Sequence, residues 1–203
     1  MRFIQASPTA PNVDVLIDGK IVITNLAYLG ISPASGYLTI LGGTRELEMR
    51  STGMTADLIN SNVAFSTHHL YTVLASGTTA NIAAVQITDD NSVPSTGNVK
   101  LRIIQGSTTL PNLDVYIVAP GTDITNMPPT VSGLAYQQAS GYQSVSAASA
   151  EIIFTDPTNP AKTRLIDYTF PSLAAGQIRT LVAVDIAGGS GISSTPLVLA
   201  DLN

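Results

Sequence analysis

Two arginine–aspartate pairs recur at the same spacing and are the most persistent charges in the sequence. Arg2 is followed by Asp14, and Arg102 is followed by Asp114. If the first two strands of each copy are antiparallel neighbours, each pair would form a cross-strand ion pair on the outer surface, worth roughly a few tenths of a kcal/mol. The alternative is ligand binding, so Asp14 and Asp114 are candidate binding residues.

Two tyrosines, Tyr37 and Tyr142, recur in the tripeptide Ser-Gly-Tyr. Exposed tyrosines are frequent in contacts with sugars and proteins, whereas buried ones fix the corner of a sandwich through a hydroxyl hydrogen bond. The chain has no tryptophan, which counts against a stacking platform for a glycan. We expect a structural role for both tyrosines and keep them as candidate binding residues.

The possible metal ligands are few. His68 and His69 are adjacent, so on a strand they would point to opposite faces, and zinc takes three or four ligands. The run Asp89-Asp90-Asn91 offers the oxygen ligands that Ca²⁺ prefers, but its spacing is not that of an EF-hand, and the same residues favour a turn. We expect no metal and no cofactor, with a calcium role for the acidic run left open.

The residue types do not predict a catalytic mechanism. The sequence has no cysteine and no Gly-x-Ser-x-Gly motif, so no familiar nucleophile and base can be assembled. Its fourteen acidic residues could supply a glycosidase-like carboxylate pair, but the sequence does not single one out. We therefore expect a protein that is not an enzyme.

The recurring arginines, aspartates and tyrosines belong to a stretch of sequence that occurs twice in the chain. Residues 2–17 and 102–117 share ten identities in sixteen positions, and shorter matches follow in the same order. The polar, turn-rich run DDNSVPSTGN, residues 89–98, is a natural linker. We predict two domains, residues 1–95 and 96–203, each opening with a hairpin formed by the duplicated segment.

Within each copy the pattern is that of short strands and turns. Val13, Val15 and Ile17 point to one face and Asn12 and Asp14 to the other, and Asp18-Gly19 follows as a two-residue hairpin signal. Further predicted strands include YLTIL, residues 37–41, and IRTLVAV, residues 178–184. The sequence predicts an all-β protein of two tandem immunoglobulin-like antiparallel β-sandwich domains.

The net charge and the composition of the chain argue against some classes of function. The net charge of −5 would repel a phosphate backbone, so we expect no nucleic-acid partner. No apolar run reaches the roughly 18 residues of a membrane span. Charged residues make up only 11% of the chain, which is typical of a hydroxyl-rich extracellular surface. The start MRFIQASP predicts a strand, so we expect any secretory signal to lie outside this sequence.

The runs RFIQASPTAPNVDVLIDGK, SGYLTILGGTRELEMR and ITDDNSVPSTGNVKLRIIQGS resemble the family catalogued as domain of unknown function 4397. The resemblance implies an exported bacterial or archaeal protein, often with tandem copies, and an immunoglobulin-like sandwich. Where that family usually has histidine, this chain has Gln5 and Gln105. The resemblance implies a fold and a location, but no reaction.

These observations predict a non-enzymatic structural or interaction module of the cell envelope, located in the periplasm, at the cell surface or outside the cell. One alternative is an adhesin-like module that binds envelope polysaccharide or a surface protein, with a groove at the domain junction or around residues 119–130. The other is a self-assembling subunit of a fibre or surface layer, because open strand edges invite pairing.

Overall fold

The computed structural model describes residues 1–202 and divides the chain into two compact units. Unit 1 comprises Met1–Asp90 together with Ile186–Ser190. Unit 2 comprises Asn91–Asp185 and the chain from Gly191 onward. The main division therefore falls after Asp90, within the predicted linker. The described residues contain strands, turns and one short 3₁₀ turn at Thr79–Asn81. None of their helical segments is long and apolar enough to cross a membrane.

Unit 1 is built from eight strands in two four-stranded sheets. One sheet has the order β4-β1-β7-β8 and the other has the order β3-β2-β5-β6. The strands are β1 (Arg2–Ala6), β2 (Val13–Ile17), β3 (Lys20–Leu26), β4 (Ile31–Ser32), β5 (Gly43–Ser51), β6 (Asp57–Phe65), β7 (Leu70–Ser76) and β8 (Ala83–Asp89).

The core of unit 1 lies between its two sheets. Phe3 and Val73 come from the first sheet, and Val15, Leu47 and Met49 come from the second, all fully buried. Because side chains alternate along a strand, the neighbours of these residues lie on the outer faces of the sheets. Unit 1 is thus a β-sandwich.

Unit 2 repeats this arrangement. Its sheets have the orders β12-β9-β15-β16 and β11-β10-β13-β14. The strands are β9 (Asn98–Gln105), β10 (Leu113–Val118), β11 (Val131–Leu134), β12 (Gln143–Ser146), β13 (Ala150–Thr155), β14 (Arg164–Phe170), β15 (Ile178–Ala183) and β16 (Leu197–Leu202). Leu101, Val115, Ile152, Phe154 and Leu181 form the centre of the core.

The fold confirms the all-β prediction, with one difference in strand direction. Most neighbouring strands are antiparallel, but β1 runs parallel to β7, and β9 runs parallel to β15. Each unit is therefore a sandwich of antiparallel-rich sheets that contains one parallel pair. The finer immunoglobulin-like assignment stays a prediction.

The duplicated segment is not a hairpin, and that prediction was wrong. β1 pairs with β4 and β7, whereas β2 pairs with β3 and β5 in the other sheet. The segment therefore carries the chain from one sheet to the other. Val13, Val15 and Ile17 nevertheless share one face of β2 and face the core, as their alternation predicted, while Phe3 of β1 faces the same core from the other sheet.

The predicted Asp18-Gly19 turn is confirmed, whereas the strand predicted at residues 37–41 is not formed. β2 ends at Ile17 and β3 begins at Lys20, so Asp18-Gly19 forms the predicted two-residue turn, with positive φ at both residues. Residues 37–41, predicted as a strand, lie outside the strands of unit 1. Their counterpart in unit 2 forms β12 on β9.

Candidate functional site

A buried polar cluster lies at the start of β1 in unit 1. The Arg2 guanidinium donates from Nε and Nη2 to Thr72 Oγ1 at 3.1 and 2.8 Å. Thr72 in turn donates to Asp89 Oδ2 at 2.6 Å, and Tyr37 OH donates to the same oxygen at 2.8 Å. Arg2 Nη2 lies 3.5 Å from this oxygen, and the Tyr37 ring centroid lies 5.3 Å from the guanidinium carbon. We call these four residues the arginine cluster of unit 1.

Unit 2 contains the same cluster. Arg102 Nε donates to Thr180 Oγ1 at 3.1 Å, and Thr180 donates to Asp201 Oδ2 at 2.5 Å. Tyr142 OH reaches Asp201 Oδ2 at 3.4 Å, and its ring centroid lies 4.7 Å from the guanidinium carbon. Arg102 Nη2 lies 4.0 Å from Asp201 Oδ2. Arg102, Thr180, Asp201 and Tyr142 are the arginine cluster of unit 2.

Strand register brings each cluster together. Arg2 lies opposite Thr72 in the parallel β1–β7 pair, as Arg102 lies opposite Thr180 in unit 2. Thr72 lies opposite Ile87, and Asp89 is two residues further along β8, so the two side chains share a face. That face is the outer one, because Val73, the residue after Thr72 on β7, points into the core.

Burial defines what these clusters can do. Arg2 is 4% exposed and Asp89 is 7% exposed, while Arg102 is 1% and Asp201 is 9% exposed. A guanidinium stays protonated and has only donors, so it holds a carboxylate but does not accept a proton. Each cluster therefore links the first strand of its unit to the last two by hydrogen bonds: β1 to β7 and β8 in unit 1, and β9 to β15 and β16 in unit 2.

The predicted pairing of Arg2 with Asp14, and of Arg102 with Asp114, was wrong. The arginine and the aspartate of each pair lie on strands of different sheets, because β1 and β2 are not neighbours. Both arginines are also buried. The structure thus unites Tyr37 and Tyr142 with the arginines, and leaves Asp14 and Asp114 apart from them.

Asp14 and Asp114 instead hold the next strand at an irregular position. Asp14 Oδ1 accepts from Asn25 N at 2.8 Å, and Asp114 Oδ1 accepts from Gly133 N at 2.8 Å. Asn25 and Gly133 both have positive φ, and the register of each strand pair shifts beside the aspartate. The hydrogen bond from Asn25 N, with further bonds from Gly53 N and Thr52 Oγ1, lowers the pKa of Asp14. Each aspartate therefore has a structural role, because its carboxylate binds the backbone of the neighbouring strand.

Gln5 and Gln105 shape the turn that leaves the first strand. Gln5 Oε1 accepts from Ser7 N at 2.6 Å, and Gln105 Oε1 accepts from Ser107 N at 2.9 Å. Both glutamines are fully buried. An amide supplies an acceptor and a donor together, and Gln105 uses its donor on Pro111 O at 3.1 Å.

Unit 2 holds a second buried carboxylate that sequence reasoning missed. Asp185 accepts hydrogen bonds from the hydroxyls of Ser107, Thr108 and Thr109 and from Thr108 N. Burial alone would raise the pKa of Asp185, but these hydrogen bonds outweigh it and lower the pKa. In unit 1 the equivalent Ser7 hydroxyl donates to Gly77 O at 2.6 Å.

The remaining candidate ligands are dispersed. His69 Nδ1 lies 3.0 Å from Thr67 O, its ring stacks on Tyr71, and His68 occupies a turn with positive φ. Asp89 belongs to the arginine cluster of unit 1, and Asn91 Nδ2 donates to Asp201 O at 3.1 Å. Among residues 1–202, no three histidine, aspartate or glutamate side chains gather as a metal site.

The loop at residues 119–130 is fastened to unit 2. Ile124 is buried with Tyr116 and Ile153 on the outer face of the β10–β13 pair. Lys162 Nζ donates to Ile124 O at 2.9 Å and to Met127 O at 2.6 Å. Within the loop, residues 125–128 are exposed. The loop that joins β10 to β11 is therefore an ordered cover with an exposed tip.

A family model described as domain of unknown function (DUF4397) matches residues 1–116, which include all of β1–β9 and most of β10. The chain belongs to this DUF4397 family. A search of the curated proteins found no match. The family match ends inside unit 2, but the strand orders and arginine clusters of the two units correspond. The second DUF4397-like copy is thus evident from structure.

Sequence reasoning missed Thr72, Thr180, Asp89 and Asp201 as members of the clusters. A signal was present, because Thr72 and Thr180 fall at matching places in the repeat. The aspartates were harder to find, since Asp89 was grouped with the linker and Asp201 lies near the end of the sequence. Only the β7–β8 and β15–β16 pairings bring them to the arginines.

Proposed function

We propose that this DUF4397 chain is a non-catalytic, exported module of the cell envelope with a structural or interaction role. The observation that carries the proposal is the presence of the same buried arginine cluster in both units. The polar residues that repeat between the copies tie strands together, so the repeated unit serves as a scaffold. Catalysis would require a reactive group that touches substrate, and the carboxylates of both clusters are buried.

The two units differ in their loops, and loops on a rigid scaffold commonly carry binding function. Unit 1 joins β2 to β3 through Asp18-Gly19, whereas unit 2 joins β10 to β11 through residues 119–130. The exposed tip of the longer loop is the place we assign to partner contact. The low charge and hydroxyl-rich surface support an extracellular partner, either an envelope polysaccharide or a surface protein.

The test measures binding of the whole chain to purified envelope polysaccharides and to surface-protein fractions. Removing the entire loop would uncover Tyr116 and Ile153, so loss of binding could reflect loss of folding. The sharper variant is Asn126→Ala combined with Met127→Ala, because both residues are exposed. Met54→Ala combined with Thr55→Ala, two exposed residues of the turn between β5 and β6, is the matched control.

We expect the tip variant to weaken binding at least about tenfold, equivalent to 1.4 kcal/mol, with an unchanged melting temperature. Unchanged binding by the tip variant would remove the loop as the contact site. A reaction product formed from any of the tested polysaccharides would overturn the non-catalytic proposal.

A second candidate function is self-assembly, and the position of β6 favours it. This nine-residue strand, Asp57–Phe65, lies at the edge of its sheet beside β5. Exposed edges can pair with another chain. If β6 mediates assembly, the mass measured by light scattering will rise with concentration, and Asn62→Lys will suppress the rise. A constant mass of one chain would exclude this candidate.

A further inference from the structure

A cleft of 220 Å³ opens in unit 1 beside the turn between β2 and β3. Its apolar walls come from Ile17 at the end of β2, from Val22 on β3, and from Ile40 and Leu41 in the segment before β5. Ile17 belongs to the core of unit 1, and Val22 and Ile40 pack against that core. The cleft is therefore continuous with the apolar interior of the sandwich.

Unit 2 has a cleft of 250 Å³ at the corresponding place. The repeat aligns Ile17 with Ile117, and the recurring Ser-Gly-Tyr aligns Ile40 with Val145. Ile117 and Val145 both line the cleft of unit 2. Val145 is paired there with Val99, so the cleft is also present where the wall segment is a regular strand. It is a feature of the repeated sandwich.

The two clefts differ in charge. Asp18, Lys20 and Arg45 line the cleft of unit 1, so its walls carry two cations and one anion, although the whole chain has a net charge of −5. Strand register places Ala150 where unit 1 has Arg45. The residues that line the cleft of unit 2 are all alanine, serine, valine or isoleucine. Only the cleft of unit 1 can therefore attract an anion.

Arg45 fixes the exposed wall of the unit 1 cleft. Its Nε donates to Leu41 O at 3.2 Å and its Nη2 donates to Gly42 O at 2.6 Å. Its Nη1 donates to Asp18 Oδ2 at 3.2 Å. The Leu41 side chain is 74% exposed even though its backbone is held in this way. An exposed apolar side chain on a fixed segment is preorganised to cover a ligand.

Two cations are available to an anionic group in this cleft. Lys20 is exposed, and its ammonium forms no ion pair or hydrogen bond with any of the described residues 1–202. A guanidinium has five N–H groups, and the three bonds of Arg45 leave donors for a further acceptor. The carboxylate of Asp18 is already engaged, because it also accepts from Glu46 N at 3.1 Å.

We propose that the cleft of unit 1 binds the anion of a medium-chain fatty acid. The alkyl chain lies along Ile17 and Ile40 and is covered by Leu41, while the carboxylate contacts Lys20 and Arg45. The cleft of 220 Å³ is smaller than the roughly 300 Å³ at which ligand pockets usually begin, so we assign a chain of about eight carbons. This site is separate from the loop tip of unit 2 and does not depend on its role.

The test titrates the full chain with octanoate, octan-1-ol and acetate, and follows the methyl NMR signals of Ile17 and Ile117. Octanoate is expected to shift the Ile17 signals saturably and to bind about threefold more tightly than octanol, because an exposed ion pair contributes this much. Acetate lacks the chain and should not saturate the site. At Ile117 octanoate should bind no more tightly than octanol.

Two substitutions separate the charge from the apolar wall. Lys20→Gln is expected to lower the affinity for octanoate about threefold and to leave the affinity for octanol unchanged. Leu41→Ser is expected to weaken both ligands about fivefold, because less apolar surface is buried. Met54→Ser, at an exposed position of the turn between β5 and β6, is the matched control and should change neither affinity. All three variants should keep the melting temperature of the natural chain, since the three side chains are exposed.

The proposal would be overturned if the Ile17 signals did not saturate with octanoate, or if octanoate and octanol bound there equally. An equal preference for octanoate at Ile117 would also overturn it, because the charged residues would then not select the ligand. So would an unchanged affinity of Leu41→Ser for octanoate. A preference for octanoate at Ile17 that Lys20→Gln abolishes supports the site.

Discussion

Tyr37 donates a hydrogen bond to Asp89 over 2.8 Å, whereas Tyr142 reaches the equivalent Asp201 only at 3.4 Å. In the second unit the tyrosine ring lies closer to the arginine, at 4.7 Å against 5.3 Å. The two tyrosines therefore stabilise the same cluster by different means. In unit 1 the hydroxyl contributes more, and in unit 2 the ring face contributes more.

Replacing each tyrosine by phenylalanine should separate these contributions. Tyr37→Phe removes a hydrogen bond to a carboxylate, and such bonds contribute about 1.5–3 kcal/mol. Tyr142→Phe removes a longer bond and keeps the ring over Arg102, so its cost should be smaller. Denaturant unfolding of the two variants provides the comparison. A larger loss for Tyr142→Phe would contradict the assignment.

Removing the carboxylate of a cluster should be far more damaging than removing an exposed one. Asp89→Ala removes the carboxylate whose Oδ2 lies 3.5 Å from Nη2 of the buried Arg2, and breaking a buried pair in this way costs about 3–5 kcal/mol. Asp57, which pairs with Arg50 at the surface at 2.6 Å, gives the matched variant Asp57→Ala. Thermal unfolding should show a large loss for the first variant and little change for the second. Similar losses in both would show that the cluster does not hold the sheet.

The stability supplied by Asp185 should depend on pH. Its pKa in the folded protein lies below the ordinary value of 3.8. The ionised form is therefore favoured by folding, and its contribution is complete above that value and disappears as the pH falls through the folded pKa. The difference in unfolding free energy between the natural protein and Asp185→Asn should be largest near neutral pH. It should shrink below pH 3.8, and a difference that grows with acid would refute this account.

The cover formed by residues 119–130 should depend on Ile124. Ile124→Ala removes a side chain buried against Tyr116 and Ile153, and such truncations cost about 2–5 kcal/mol. Met127→Ala, at an exposed position of the same loop, is the control and should change stability little. Protease cleavage within the loop should accelerate for the first variant only. Equal cleavage rates in both variants would mean that Ile124 does not anchor the loop.

The sequence predicted the all-β class, the duplication and the Asp18-Gly19 turn because each leaves a local pattern. It did not predict which strands become neighbours. That choice moved Arg2 away from Asp14 and placed it beside Thr72, seventy residues away along the chain. Alternation marks Val13 and Val15 as facing a core, but it does not say which sheet holds their strand.

The candidate sites were predicted only in part for the same reason. Tyr37 and Tyr142 were identified from a repeated tripeptide, and the expectation of a structural hydroxyl bond agrees with their contacts. Asp14 and Asp114 were also identified, but with the wrong partners. The role of Asp185 left no repeated signal, because the equivalent contact in unit 1 is made by the backbone of Gly77.

The parallel pairing of β1 with β7 has a consequence for how the protein is made. β1 pairs with a strand seventy residues later in the chain, and Thr72 lies only thirty residues before Arg102 of β9, where three of the five residues of β1 recur. Closing the shorter loop costs less entropy, so a refolding chain can place β9 beside β7 and trap a swapped arrangement. Synthesis from the amino end delivers β7 before β9 and gives β1 the first opportunity to pair. The order of emergence during synthesis therefore favours the pairing of β1 with β7 that the structure shows.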